Sequence, residues 1–276
     1  MRTLLGVTAA TAAIVLVRLL PFLPGRYDSL AVHMSLTIQV LSIVGLLLVP
    51  VGIAWLASPF WKPKTGRHYL FAIIAMSALS LVWISVSLAT LMSSYLLGVA
   101  LLILGMYVAR HAMPLVRDLK GDISRGTPAL PTYMTAVPIA VAILLWALVP
   151  RAADSSRSRA IRNAQPLIAA IDRYRDLNGR YPTSLLVVHM DHSPSLIGID
   201  QYRYEPSGDA YNIVFEQLSH RLGTREFVVY NPRDQHVMTS HALDLLEFRG
   251  EDLARRRGYY AVQEGPHPRW RSFLFD

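Results

Sequence analysis

Three side chains that could hold a metal or move a proton stand together in "HMDHS": His189, Asp191 and His192. Their H-x-x-H spacing fits no helical zinc motif such as H-E-x-x-H, whose histidines share one helix face, and Pro194 places the stretch in a loop. A polar surface loop is the expected reading, and an envelope enzyme using these three groups is the alternative. His236 and His241 flank an expected strand, with no carboxylate pairing that demands a metal. The sequence has no G-x-S-x-G, no Walker loop and no G-x-G-x-x-G. Arg255, Arg256 and Arg257 stand beside Glu251 and Asp252, which makes a self-neutralising surface and not a nucleic-acid patch. Cysteine is absent, so disulfides, thiolate metal sites and cysteine nucleophiles are excluded. No catalytic, cofactor-binding or metal-binding residue is assigned, and no cofactor is expected.

The elements that would position any chemistry are dominated by apolar runs. Of 276 residues, 53% are hydrophobic and only 17% charged, against about 25% charged in an ordinary soluble chain. Residues 1–150 hold 10 Lys/Arg and 3 Asp/Glu, and the remainder 17 and 16. The net charge of +8 therefore lies almost wholly in the first half. A spanning helix needs about 20 mostly apolar residues, and five such runs are read at 4–24, 32–57, 69–92, 95–114 and 131–149. The first is too long for the h-region of a cleaved signal peptide and is read as an uncleaved span. The expected organisation is a four-span region over 1–129, a fifth span over 130–150, and an α+β domain over 151–276.

Loop charge sets the expected orientation. Lys62, Lys64 and Arg67 fall between the second and third runs; Arg110, Arg117, Lys120 and Arg125 fall between the fourth and fifth. Loops rich in Lys and Arg stay in the cytoplasm, and two spans separate these loops, so both can lie on that side. The N-terminus is then cytoplasmic and everything after residue 150 is outside, as in a bacterial inner membrane. Arg18 is the one strongly ionisable residue well inside a span and marks the candidate intramembrane polar site. Near the outer end of its helix, it is expected to snorkel to the headgroups. Ser77, Ser80 and Ser87 on the third run, and Gly98 and Gly105 on the fourth, are expected to let helices pack closely.

Beyond the last span, Ile161, Ala164, Ile168, Ile171 and Tyr174 recur at three- and four-residue steps, with Leu167 alongside, as on an amphipathic helix. Asn178-Gly179 suits its end, and Tyr181-Pro182 an extended exit. Pro138 and Pro166 are expected to kink the long helix. Strands are expected at 202–206 and 210–217, with Tyr211, Ile213 and Phe215 on one face, and at 225–231 and 236–240; these make two antiparallel hairpins. Residues 252–260 read as a short helix and "WRSFLF" as a last strand.

An apolar helix running into an amphipathic one, then "RYRDLNGRYPTSL", then an antiparallel sheet resembles the type IV pilins and the pseudopilins of type II secretion. Tyr174, Asp176, Asn178, Gly179, Tyr181, Pro182 and Thr183 match the major pseudopilin phrase, and the resemblance covers about 131–239. It implies a pilin-like domain with its helix packed on the sheet. The departure is at the start of that helix: Gly126 is present, but Phe-Thr-Leu and a following Glu are not, so processing by prepilin peptidase and ordinary filament assembly are not implied. The expected function is a non-enzymatic membrane protein displaying this domain to an envelope protein, or to itself, as an accessory of a secretion or pilus-like system. The lipid bilayer is the other partner, and nucleic acid is not one. The alternative is a sensor, immunity or regulatory factor that binds through its spans.

Overall fold

In hydrocarbon every backbone N–H and C=O must be satisfied inside its own segment, so apolar runs become helices. The computed structural model describes residues 2–57, 67–118, 129–207, 209–221, 224–234, 260–264 and 266–275. Helices α1 (Arg2–Leu19), α2 (Ser29–Ala57), α3 (Arg67–Ser93), α4 (Tyr95–Asp118), α5 (Ala129–Asn163) and α6 (Gln165–Asn178) are followed by strands β1 (Arg203–Ser207), β2 (Ala210–Leu218), β3 (Arg225–Tyr230), β4 (Tyr260–Glu264) and β5 (Trp270–Phe275). Among the described residues four segments are helical, long enough and apolar enough to cross a membrane: Thr3–Phe22, Ser29–Ala57, Leu70–Leu91 and one within Ala129–Asn178. The run expected at 95–114 is helical too, but its apolar part is Tyr95–His111. Arg110 and His111 end it short of the usual length.

The chain forms two compact units, one of residues 1–20 and 29–149 and the other of 21–28 and 150–276. In the first, α3 and α4 form a hairpin whose turn is bonded like helix, Ser94 N–H to Thr90 O at 2.7 Å and Gly98 N–H to Ser94 O at 3.0 Å. A Cβ on Gly98 would run into Leu91, and one on Gly105 into the Trp83 indole, so here glycine permits close packing. The Trp83 Nε1–H then reaches Leu101 O at 2.6 Å. Of the three α3 serines only Ser87 is buried; Ser77 and Ser80 are exposed and do not serve that packing.

Helix α5 is 35 residues long, about 52 Å at 1.5 Å per residue, and runs through Pro138 without interruption. The interruption comes at Ala164, and Pro166 stands in the first turn of α6, where a missing N–H costs nothing. On the second unit Ile161, Ala164, Leu167, Ile168 and Ile171 are buried against Tyr202, Tyr211, Ile213, Phe215, Val228, Tyr230 and Trp270. Helices therefore cover one face of the antiparallel sheet, whose strand order is β1-β2-β3-β5-β4. Asn212 and Val214 are buried as well, so β2 is covered on both faces and its expected alternation is lost.

Strand β3 does not find its second partner in the hairpin expected between 225–231 and 236–240. Every residue of β3 pairs with β2 on one edge and with β5 on the other, which leaves no edge for a third partner; 236–240 lies outside the described residues. Of the helix expected at 252–260, residues 252–259 lie outside them too, while Tyr260 opens β4. The last strand, "WRSFLF", is β5.

The second unit also takes in residues 21–28, which follow α1 and precede α2. Gly25 N–H bonds Ser195 O (3.1 Å), Asp28 N–H bonds Ile197 O (3.0 Å), Ile197 N–H bonds Leu23 O (3.0 Å) and Gly198 N–H bonds Pro21 O (2.7 Å). Residues 21–24, expected as the end of the first span, and the residues up to 28 thus form a strap held by four backbone hydrogen bonds.

Candidate functional site

The residues singled out at the end of α6 form one connected structure. Gly179 adopts φ 71°, and its N–H bonds Arg175 O at 2.7 Å, closing the helix in the left-handed conformation that glycine takes without steric cost. Asn178 Nδ2 donates to Tyr174 O at 2.8 Å. The chain turns back so that Arg175 donates to the Tyr181 hydroxyl at 2.9 Å and lies 5.3 Å from the ring centroid. Asp176, and then Tyr181, hold the Arg175 guanidinium firmly in its charged form.

Tyr181 and Tyr211 meet edge to face with ring centroids 4.9 Å apart, and the Tyr211 hydroxyl donates to Asp172 Oδ1 at 3.2 Å. The Tyr204 hydroxyl donates to Pro182 O at 2.7 Å. Both phenols lose protons less readily than free tyrosine: burial and then Asp172 raise Tyr211, and burial and then Tyr181 raise Tyr204 to about 12. Neutral hydroxyls in fixed hydrogen bonds act here as structural pegs and supply no acid or base near neutral pH.

What this framework presents is a set of exposed apolar side chains. Ser184 caps the 3-10 turn Leu185–Val188 by accepting the Leu186 N–H at 3.3 Å. Leu185 is buried, whereas Leu186 is 77% exposed, Val187 45%, and Leu177 in the last turn of α6 79%. The turn packs beside α6. Among the described residues from 150 onward, these are the only large apolar side chains so exposed. The exposed charges of Arg173, Arg175, Asp176 and Arg180 surround them in sequence.

The histidine loop is built for its own turn. Asp191 Oδ1 accepts the Ser193 N–H at 2.9 Å, the His192 carbonyl accepts the Tyr202 N–H at 2.8 Å, and His189 takes the left-handed position after the 3-10 turn. Among the described residues no three His, Cys, Asp or Glu side chains come together as a metal site. His236, His241 and Arg255–Arg257 lie outside the described residues.

Arg18 does not reach outward. It is 1% exposed and donates to Ser35 Oγ at 2.7 Å, while the Ser35 hydroxyl returns a bond to Arg18 O at 2.9 Å. The buried serine of the neighbouring helix gives the guanidinium a hydrogen-bond partner within the first unit.

One group sequence reasoning missed is a buried ion pair. Arg157 Nε donates to Glu226 Oε1 at 2.8 Å, and Gln217 Nε2 to Glu226 Oε2 at 2.7 Å; Glu226 is 1% exposed. The available signal was parity: Glu226 shares the inward register of β3 with Val228 and Tyr230, an acid where an apolar residue is expected.

By length and composition the helices place the chain among membrane proteins. No protein-family model matches it, and neither does any curated protein or solved structure.

Proposed function

We propose that the chain is a five-span membrane protein that carries its α+β unit outside the cytoplasm as a pilin-like binding surface for an envelope protein. The observation that carries this reading is the exposure of Leu177, Leu186 and Val187, the only large apolar side chains so exposed among the described residues from 150 onward. Exposed apolar groups gathered beside charged ones mark interaction sites. Hydrogen bonds from Arg175 to Tyr181 and from Tyr204 to Pro182 fix the chain between Leu177 and Leu186, which lowers the entropy lost on binding.

The strap supports five crossings. Residues 21–28 and 195–198 exchange backbone hydrogen bonds, so both lie on one side of a bilayer, and the chain between them must cross an even number of times. Helices α2, α3 and α5 alone make three; α4, whose apolar segment Tyr95–His111 is at the short end of the spanning range, makes the fourth. The two basic loops then share a side, which the positive-inside rule assigns to the cytoplasm. The pilin-like reading draws support from an apolar helix followed by a second helix packed on an antiparallel sheet, closed by Gly179 and Tyr181-Pro182. With no processing motif in the sequence, the unit serves as a fixed accessory and not as a filament subunit.

A photo-crosslinking amino acid at Leu186 of the full chain, in living cells, tests the reading. An adduct with one envelope protein or with a second copy is expected from position 186 and not from the exposed Asp200. Absence of any adduct from 186 contradicts it.

A further inference from the structure

Within the first unit, α1, α2, α3 and α5 enclose an apolar cleft of about 490 Å³, in the range of small-molecule sites. Small side chains make the space: Ala10, Ala13, Gly45, Ala75 and Ala78 all face it. Their use differs from that of Gly98 and Gly105. A Cβ at Gly45 would meet only Pro138, at ordinary contact distance, 3.5 Å, so helix contact does not demand glycine there. The polar groups in the wall are the hydroxyls of Ser42 and Tyr133, and Ser42 already donates to Ile38 O at 2.7 Å. Water in a cavity needs two to four polar partners, and a wall with so few disfavours water and suits an apolar occupant. Leu79, which lines the cleft, is also 57% exposed on the helix surface, so the cleft communicates with the medium around the helices.

We infer that this cleft is a specific site for one acyl chain of a bilayer phospholipid. The inference rests on the reading of the first unit as membrane-embedded, since acyl chains are the hydrocarbon present at that depth. The head group stays in the lipid, so the site selects a chain and not a charge.

The full chain, extracted and washed in mild detergent, is analysed by native mass spectrometry. One phospholipid retained per chain is expected. The double variant Ala13→Phe/Ala78→Phe, which fills the cleft, is expected to lower retention at least five-fold. Equal retention by the variant, no lipid on the parent chain, or a bound polyisoprenoid would each overturn the proposal. A second measurement needs no variant: the parent chain is irradiated in vesicles containing phospholipid with a diazirine-bearing acyl chain. Adducts at cleft residues such as Met34 and Val82, in addition to outward ones such as Leu96 and Met106, are expected. Adducts on outward residues alone overturn the cleft site; no adducts anywhere overturn the membrane reading on which it rests.

Discussion

Gly179 closes α6 at φ 71°, and a Cβ placed there meets nothing within 4 Å. Replacing it with Ala therefore tests backbone strain alone, and Gly179→Ala is expected to cost about 1 kcal/mol, read as a lowered denaturation midpoint of the second unit. The Arg157–Glu226 pair is the opposite kind of residue, held by partners. Arg157→Ala leaves a buried carboxylate without its cation and is expected to cost about 3 kcal/mol; thermal unfolding of the full chain measures it. The tyrosine pegs set an alkaline limit. Tyr204 is raised from the usual 10 to about 12 by burial and by Tyr181, so the folded state holds its proton longer than the unfolded state does. Their contribution is complete below pH 10 and falls as pH rises from 10 towards 12. Tyrosinate absorbance of these groups should appear together with loss of tertiary circular dichroism. Signals of this scale were legible in sequence where they are local, as with Gly179, Tyr181 and Pro182. Arg157 and Glu226 stand 69 residues apart, and only the register of β3 brings them together.

Among the elements, the strap is the least expected and the most testable. A Cβ on Gly198 would come within 2.6 Å of the Pro21 carbonyl oxygen, a clash with backbone that no rotamer relieves. Gly198→Ala is therefore expected to loosen the strap, destabilise the second unit by about 1–3 kcal/mol, and speed amide exchange at Gly25 and Asp28. Exchange unchanged at both amides would contradict this. The helices were legible because their apolar runs and the i, i+3, i+4 spacing of Ile161 to Ile171 are properties of neighbouring residues. The two prolines separated by position: Pro166 falls where a helix can begin, and Pro138 sits inside α5 without ending it. The strap, and the pairing of β3 with β5, join stretches far apart in the chain and carry no periodic signal. Nothing local in 225–231 points to β5 as its partner in place of the nearer 236–240.

At the scale of the molecule, charge and connectivity have to agree. The basic loops and the strap argue for the same arrangement from unrelated physics, one from positive charge retained in the cytoplasm, the other from backbone bonds that cannot cross a bilayer. The binding role proposed for Leu177, Leu186 and Val187 depends on that arrangement, because only a unit outside the cytoplasm could meet an envelope partner. The chain contains no cysteine, so single cysteines can be introduced and read without background. Cysteines at Tyr27, Lys64, Lys120 and Leu186, one per variant, are treated in intact cells with a maleimide that does not cross membranes. Labelling at 27 and 186 without permeabilisation, and at 64 and 120 only after it, is the predicted result. Protection of 186 in intact cells, or labelling of 27 and 186 from opposite sides, would contradict the account.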